Sequence, residues 1–129
     1  MPEQVAIKIK VQNAPFDVAK EQAELEQVSD DAGALVLFQG MVRECEQTVP
    51  LAKLELEHFP GVTESEIKRI VMIATERWNI SGCTVIHRVG ELFADAPIVI
   101  SMVTSKHRKD SFHAPESIMD HLKTEAPFW

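Results

Sequence analysis

The chain has 129 residues, of which 45% are hydrophobic and 26% charged, with a formal net charge of -7. This balance predicts one globular domain spanning residues 1–129, and the negative charge argues against nucleic acid as the main partner, because binding a polyanion needs many cations. No apolar run approaches the roughly 20 residues that span a bilayer, and the N-terminus lacks a signal pattern, so we expect a cytoplasmic protein.

The first half of the chain predicts a strand, a helix and two more strands. Residues 4–11 alternate between apolar and polar side chains, which is typical of a half-buried strand. Asp17 is a suitable N-cap for a short helix that ends near Val28. Residues 33–42 and 51–58 are rich in strand-forming side chains and are separated by a polar loop.

The second half begins with a helix signal. Thr63, with a glutamate three residues later, forms a capping box, and the apolar positions that follow repeat with helical spacing to about Trp78. We expect the Ser-Gly pair at 81–82 to end this helix. Residues 84–89 and 97–104 are rich in β-branched side chains and predict two further strands.

A last helix is predicted over residues 111–123. Pro115 lies close to its expected start, where a missing N–H costs no intrahelical hydrogen bond, and the alternative is a kinked helix. The order is therefore βαββαββα. Short connections between strands favour antiparallel neighbours, so we predict an α+β fold with a mostly antiparallel sheet and the helices packed on one face.

A basic run, residues 105–109, lies between the last predicted strand and the last helix. His107 and Arg108 within it stand beside a helix N-terminus, where free backbone N–H groups and the helix dipole favour an anion. Arg43 also follows a predicted strand. If the two strand ends meet, these three cations converge on one anionic ligand, whereas the alternative is a solvated basic turn.

Lys123 lies near the end of the last predicted helix. Its position suits a cation that stabilises the helix C-terminus, which is the structural interpretation. A lysine held beside arginines would instead favour its neutral amine, which suits proton transfer or attack on an acyl carbon.

The sequence predicts no metal site and no cofactor. The five histidines show no H-E-x-x-H pairing, and Cys45 and Cys83 stand far apart with no C-x-x-C pattern. Nucleotide-binding and hydrolase motifs such as the P-loop and G-x-S-x-G are also missing from the sequence.

Five segments in order resemble the catalytic, or large, subunits of molybdopterin synthase. They are FQGMVR at 38–43, LEHFPG at 56–61, VIHRVGEL at 85–92, SKHR at 105–108 and LKTEAPFW at 122–129. The resemblance covers about residues 33–129. It implies an α/β-hammerhead-like fold and a homodimer of catalytic subunits, each of which binds a small ubiquitin-like subunit to give a heterotetramer.

The resemblance also implies a reaction. The C-terminal Gly-Gly thiocarboxylate of the small subunit donates two dithiolene sulfurs to cyclic pyranopterin monophosphate, which becomes molybdopterin in molybdenum cofactor biosynthesis. Residues matching Arg43, His107 and Arg108 line the substrate pocket in this family, and the residue matching Lys123 is catalytic. His87 and Arg88 match a family motif too, but lie in a predicted strand, where a structural role is an equal alternative.

The sequence departs from the family pattern at two places. Met41 stands where a basic residue is common, so we expect Met41 and Val42 to contact substrate through their backbone only. The family usually continues past the aromatic pair with a second functional lysine, and we expect the natural chain to continue past Trp129. The competing interpretation is a non-catalytic anion-binding or scaffold subunit with the same fold.

Overall fold

The computed structural model describes residues 5–41, 53–56, 62–93 and 95–123. Within these ranges the chain alternates strands and helices in an α+β arrangement, as predicted. The elements are β1 Ala6–Gln12, α1 Val18–Val28, β2 Ala34–Met41, β3 Lys53–Leu56, α2 Val62–Arg77, β4 Ile80–Arg88, β5 Gly90–Phe93, β6 Pro97–Ser105 and α3 Arg108–Lys123. In the described part of the chain, no helix is long and apolar enough to cross a membrane.

Four strands form the main sheet in the order β1-β4-β6-β2. β1 runs parallel to β4, and the other two pairs are antiparallel, so the predicted mostly antiparallel sheet is confirmed. β3 and β5 pair separately as an antiparallel ribbon. The sequence predicts two strands after α2 where the structure has three, because the four residues of β5 are too few to show a pattern of their own.

The two central strands are buried on both faces. β6 is buried from Ile98 to Ser105, and β4 is buried from Gly82 to His87. A strand covered on both faces reads as a continuous apolar run rather than an alternation, and both segments have that character. Helices must therefore lie on both sides of this sheet.

Helices α2 and α3 pack on one face, where they share a core with Val85 and Val99. Helix α1 packs on the opposite face, where Leu25 contacts a second core that includes Ile86 and Ile100. The prediction that all helices share one face is therefore wrong for α1. An amphipathic stripe shows that a helix has a buried side but does not say which face of the sheet covers it.

Helix α1 begins and ends as predicted and is fastened to β1. The backbone N–H of Lys20 donates to the Asp17 side chain at 3.1 Å, which confirms the N-cap. Lys8 on β1 reaches across to two carboxylates of α1, at 2.6 Å from Glu21 and 3.0 Å from Glu24. The hydrogen bond to Glu21, and to a smaller extent the one to Glu24, raises the pKa of Lys8 above its ordinary value.

Gly82 lies inside β4 rather than in the turn predicted at 81–82. Its backbone passes under α1 so closely that an added Cβ would lie 2.7 Å from Ser29 Oγ and 2.8 Å from Leu25 Cδ1. The glycine therefore serves a close approach of helix and strand, which the sequence does not distinguish from a turn. Helix α2 also begins at Val62, one residue before the predicted cap Thr63.

Helix α3 begins at Arg108, three residues before the predicted start. Pro115 therefore lies in the helix interior, where it deprives the Ser111 carbonyl of its usual N–H donor. The ring of Pro115 is buried, and the Ser111 hydroxyl donates to the Arg108 carbonyl at 2.9 Å. The expectation that this proline costs no intrahelical hydrogen bond is wrong, because the helix starts earlier than its apolar pattern.

Candidate active site

The antiparallel pairing of β2 with β6 gives the candidate site two separate ends. Ala34 lies opposite Ser105, and Met41 lies opposite Pro97. We call these the Ser105 end and the Met41 end of the sheet. They are roughly 24 Å apart, because an antiparallel strand rises about 3.4 Å per residue.

The Ser105 end carries the basic run and the start of α3. His107 and Arg108 are exposed there, and Lys106 Nζ lies 3.6 Å from Asp31 Oδ2. The Ser105 hydroxyl donates to the His107 carbonyl and fixes the turn before the helix. The Asp110 N–H donates to the His107 carbonyl at 3.2 Å, and the earlier N–H groups of α3 have no intrahelical acceptor. The free N–H groups and the helix dipole at this end favour an anion.

Lys123 lies at the Met41 end, in a groove between β2 and α3. Helix α3 runs back over β6 and β2, and Lys123 is about 22 Å from Arg108 along the helix axis, at about 1.5 Å per residue. The groove has a volume of about 450 Å³ and is lined by three residues of β2 and six of α3, among them Phe38, Met119 and Lys123. Lys123 is exposed and forms no ion pair with the described residues.

The structure therefore divides the predicted site residues between the two ends. Met41 is 44% exposed at the end of β2, while His107 and Arg108 lie at the far end of the sheet. Val42 and Arg43 lie outside the described residues. The condition for convergence, that the ends of β2 and β6 meet, is not met within one chain, because antiparallel neighbours end at opposite edges.

Arg88, left open by the sequence, acts as a structural clamp. Its Nε and Nη2 atoms donate to the Asn13 carbonyl at 3.0 and 2.9 Å, and Nη1 donates to the Pro97 carbonyl at 3.3 Å. These contacts join the chain after β1 to the start of β6. Arg88 therefore holds the Met41 end of the sheet together, and its guanidinium is occupied by protein carbonyls.

His87 faces the α2 and α3 side of the sheet, in the same row as Val11 and Val99. Its Nδ1 atom donates to the Arg88 carbonyl at 2.8 Å, since a carbonyl can only accept. Burial lowers the pKa of His87 below its ordinary value, and the bond to Arg88 offsets part of that effect. Burial therefore favours the neutral His87 ring, and the bond to the Arg88 carbonyl places its hydrogen on Nδ1.

Cys83 is excluded as a reactive thiol by its surroundings. It is fully buried in the core under α2 and α3, and burial raises the pKa of its thiol to about 12. A thiol needs a lowered pKa and access to solvent to act as a nucleophile. Across the described ranges, no group of three or more His, Cys, Asp or Glu side chains could hold a metal ion.

Two groove residues were missed by the sequence analysis. Glu116 and Asp120 line the same groove as Lys123. The signal was available, because residues at i, i+4 and i+7 share one face of a helix. What the sequence lacks is the identity of the element across that face, since β2 and α3 are distant in the chain.

Comparison with known proteins gives the family. The MoaE protein family model matches residues 11–125. A molybdopterin synthase catalytic subunit from Mesorhizobium japonicum is 46% identical over 97% of this chain and 77% of its own length. The structure of molybdopterin cofactor biosynthesis protein E from Burkholderia multivorans is 37% identical, covers 93% of this chain and 77% of its own, and superposes with a TM-score of 0.82.

A more distant structure is a complex of subunits 1 and 2 of molybdopterin-converting factor from Helicobacter pylori. It is 17% identical, covers 91% of this chain and 77% of its own, and has a TM-score of 0.69, so it supports the fold alone. The family match and the close relative extend over nearly all of the chain. The chain therefore belongs to the MoaE family of molybdopterin synthase catalytic subunits, which are enzymes of molybdenum cofactor biosynthesis.

Proposed function

We propose that the chain converts cyclic pyranopterin monophosphate to molybdopterin. The two dithiolene sulfurs come from the C-terminal Gly-Gly thiocarboxylate of a small ubiquitin-like subunit. The observation that carries this proposal is Lys123, which is exposed and without an ion partner among the described residues, beside a groove of about 450 Å³. Pockets for small ligands commonly have volumes of about 300–1,000 Å³.

In this proposal the cations hold the substrate phosphate and Lys123 acts on the reacting atoms. Arg43, His107 and Arg108 neutralise the phosphate, and charge-assisted hydrogen bonds from them fix its position. Met41 and Val42 contribute backbone contacts. Lys123 moves a proton at its Nζ atom as the thiocarboxylate sulfur attacks the substrate and the phosphate ring opens. Water then hydrolyses the resulting thioester, which leaves the sulfur on the substrate and releases the small subunit as a carboxylate. A second thiocarboxylated small subunit delivers the second sulfur of the dithiolene.

These roles require two copies of the chain. Lys123 and Arg108 lie about 22 Å apart on one helix, so one small substrate cannot touch both within a single chain. In a homodimer with two-fold symmetry, the Met41 end of one subunit faces the Ser105 end of its partner and completes each site. We further propose that each catalytic subunit binds one small subunit, which gives a heterotetramer; the Helicobacter pylori protein forms a complex of subunits 1 and 2 of molybdopterin-converting factor.

Removing the Lys123 amine tests the proposal directly. The chain is mixed with a thiocarboxylated small subunit and cyclic pyranopterin monophosphate, and dithiolene formation is followed. We expect Lys123→Ala to lower the rate by about 10²–10⁴-fold, which is the usual contribution of a positioned proton-transfer group. The matched control is Lys20→Ala, which removes an exposed lysine from α1 on the other face of the sheet.

Product from the parent and from Lys20→Ala, with almost none from Lys123→Ala, supports the assigned role. A Lys123→Ala variant that works at the parental rate rejects Lys123 as the catalytic residue. No product from the parent rejects the proposed reaction for this chain.

A further inference from the structure

The groove between β2 and α3 has aromatic and apolar walls that are open to solvent. Phe38 on β2 is 42% exposed and Phe112 on α3 is 61% exposed, and both line the groove with Pro115 and Met119. Large apolar side chains left exposed beside a concave surface mark a place where an apolar or aromatic ligand gains contact. The faces of a flat heterocycle fit between such walls.

Two carboxylates lie on the α3 side of the same groove. Glu116 and Asp120 are exposed, and neither forms a hydrogen bond or an ion pair with any part of the chain that the structure describes. They stand one turn apart, and Glu116 is about 10 Å from Lys123 along the helix axis. The groove therefore offers acceptors along its middle and a cation at its end.

We propose that Glu116 and Asp120 recognise the N–H edge of the pterin ring, with the ring against Phe38 and the phosphate end at Lys123. This inference rests on the proposed function and names the specificity residues of that site. A pterin carries a 2-amino group and a neighbouring ring N–H, which point the same way. A carboxylate accepts two parallel hydrogen bonds from such an edge, as it does from a guanidinium.

The charges of the groove favour this occupant over the tail of the small subunit. A thiocarboxylate tail ends in an anion, and two carboxylates beside its path repel it. The substrate has donors at one end and an anion at the other, which matches the order of Glu116, Asp120 and Lys123 along α3. Water is displaced from the groove when the flat ring enters, and each charge-assisted hydrogen bond is then stronger than in open solvent.

Kinetics with the two substrates varied separately test this assignment. Glu116→Gln and Asp120→Asn keep the shape of each side chain and remove its charge. We expect the KM for cyclic pyranopterin monophosphate to rise by about tenfold or more in at least one variant, while the KM for the thiocarboxylated small subunit stays unchanged. Glu76→Gln, which removes an exposed carboxylate from α2, is the matched control and is expected to leave both constants unchanged.

A binding measurement without turnover separates this inference from the proposed reaction. Free pterin and lumazine, in which an oxygen replaces the 2-amino group, are titrated against the parent and the Glu116→Gln/Asp120→Asn double variant by fluorescence. We expect the parent to prefer pterin and the double variant to lose that preference. Equal binding of the two probes by the parent, or a rise in KM for the small subunit alone, would overturn the assignment.

Discussion

The adjacent residues His87 and Arg88 show how one motif is divided between two structural tasks. The Arg88 side chain joins the Asn13 and Pro97 carbonyls, while its own carbonyl accepts the Nδ1 hydrogen of His87. His87 therefore depends on the Arg88 carbonyl, and the Arg88 side chain depends on the Asn13 and Pro97 carbonyls, all of which the fold positions. The Arg88 guanidinium is therefore engaged by protein carbonyls.

His87 makes the stability of the protein depend on pH. Because burial lowers its pKa below 6.5, the unfolded chain binds a proton at a higher pH than the folded chain does. The stability contributed by neutral His87 is therefore complete above about pH 6.5 and is lost as the pH falls through the folded pKa. We expect His87→Asn, whose side-chain N–H can still reach the Arg88 carbonyl, to make this loss shallower.

Urea unfolding at several pH values between 5 and 8 checks the expectation. The free energy of unfolding of the parent is expected to fall below pH 6.5 more steeply than that of His87→Asn. The control is His113→Asn on the exposed side of α3, which is expected to keep the parental slope. If the free energy of unfolding falls equally steeply with pH in the parent and in His87→Asn, His87 is not the cause of the pH dependence.

At the scale of elements, the position of α1 rests on a close approach to β4. A Cβ atom added at Gly82 would lie only 2.7 Å from Ser29 Oγ. The Ser29 hydroxyl also lies 2.6 Å from Thr104 Oγ1. Neither the helix nor the central strand can move without disturbing the core around Leu25. A methyl group at position 82 must therefore push aside the side chains of Ser29 and Leu25, which pack against β4.

We expect Gly82→Ala to lower the free energy of unfolding by about 1–3 kcal/mol, the usual cost of overpacking a core. The midpoint of urea denaturation measures this change, and Ser81→Ala at the neighbouring, less buried position is the control. An unchanged midpoint in Gly82→Ala would show that α1 adapts without cost.

The elements also show how far the sequence predicts the fold. Asp17 and the alternation of β1 are local signals, and the structure confirms both because each depends only on near neighbours. The face on which α1 packs and the existence of β5 depend on partners distant in the chain, so local patterns do not contain them. The same holds for the candidate site, where Lys123 is predicted but its groove neighbours Glu116 and Asp120 are not.

At the scale of the whole molecule, the sheet separates the two groups of predicted site residues. Lys123 and Met41 lie at one end, and His107 and Arg108 lie at the other. The structure places Arg108 and Lys123 at the two ends of α3, and the length of that helix fixes their separation. Under the proposed roles of Lys123 and Arg108, the need for a second subunit therefore follows from the length of α3.

A complementation experiment tests this requirement. Lys123→Ala and Arg108→Ala subunits are co-expressed with different tags, and the heterodimer that carries both tags is purified. If each site takes Lys123 from one subunit and Arg108 from the other, one of the two sites in this heterodimer is intact, and we expect about half of the parental rate of dithiolene formation. Each variant homodimer has two damaged sites and is expected to be nearly inactive.

A heterodimer as inactive as the homodimers would mean that Lys123 and Arg108 do not act in one shared site. As a control, pairing Lys123→Ala with the Lys123→Ala/Arg108→Ala subunit restores no intact site under either arrangement, so activity there would point to contaminating parental enzyme.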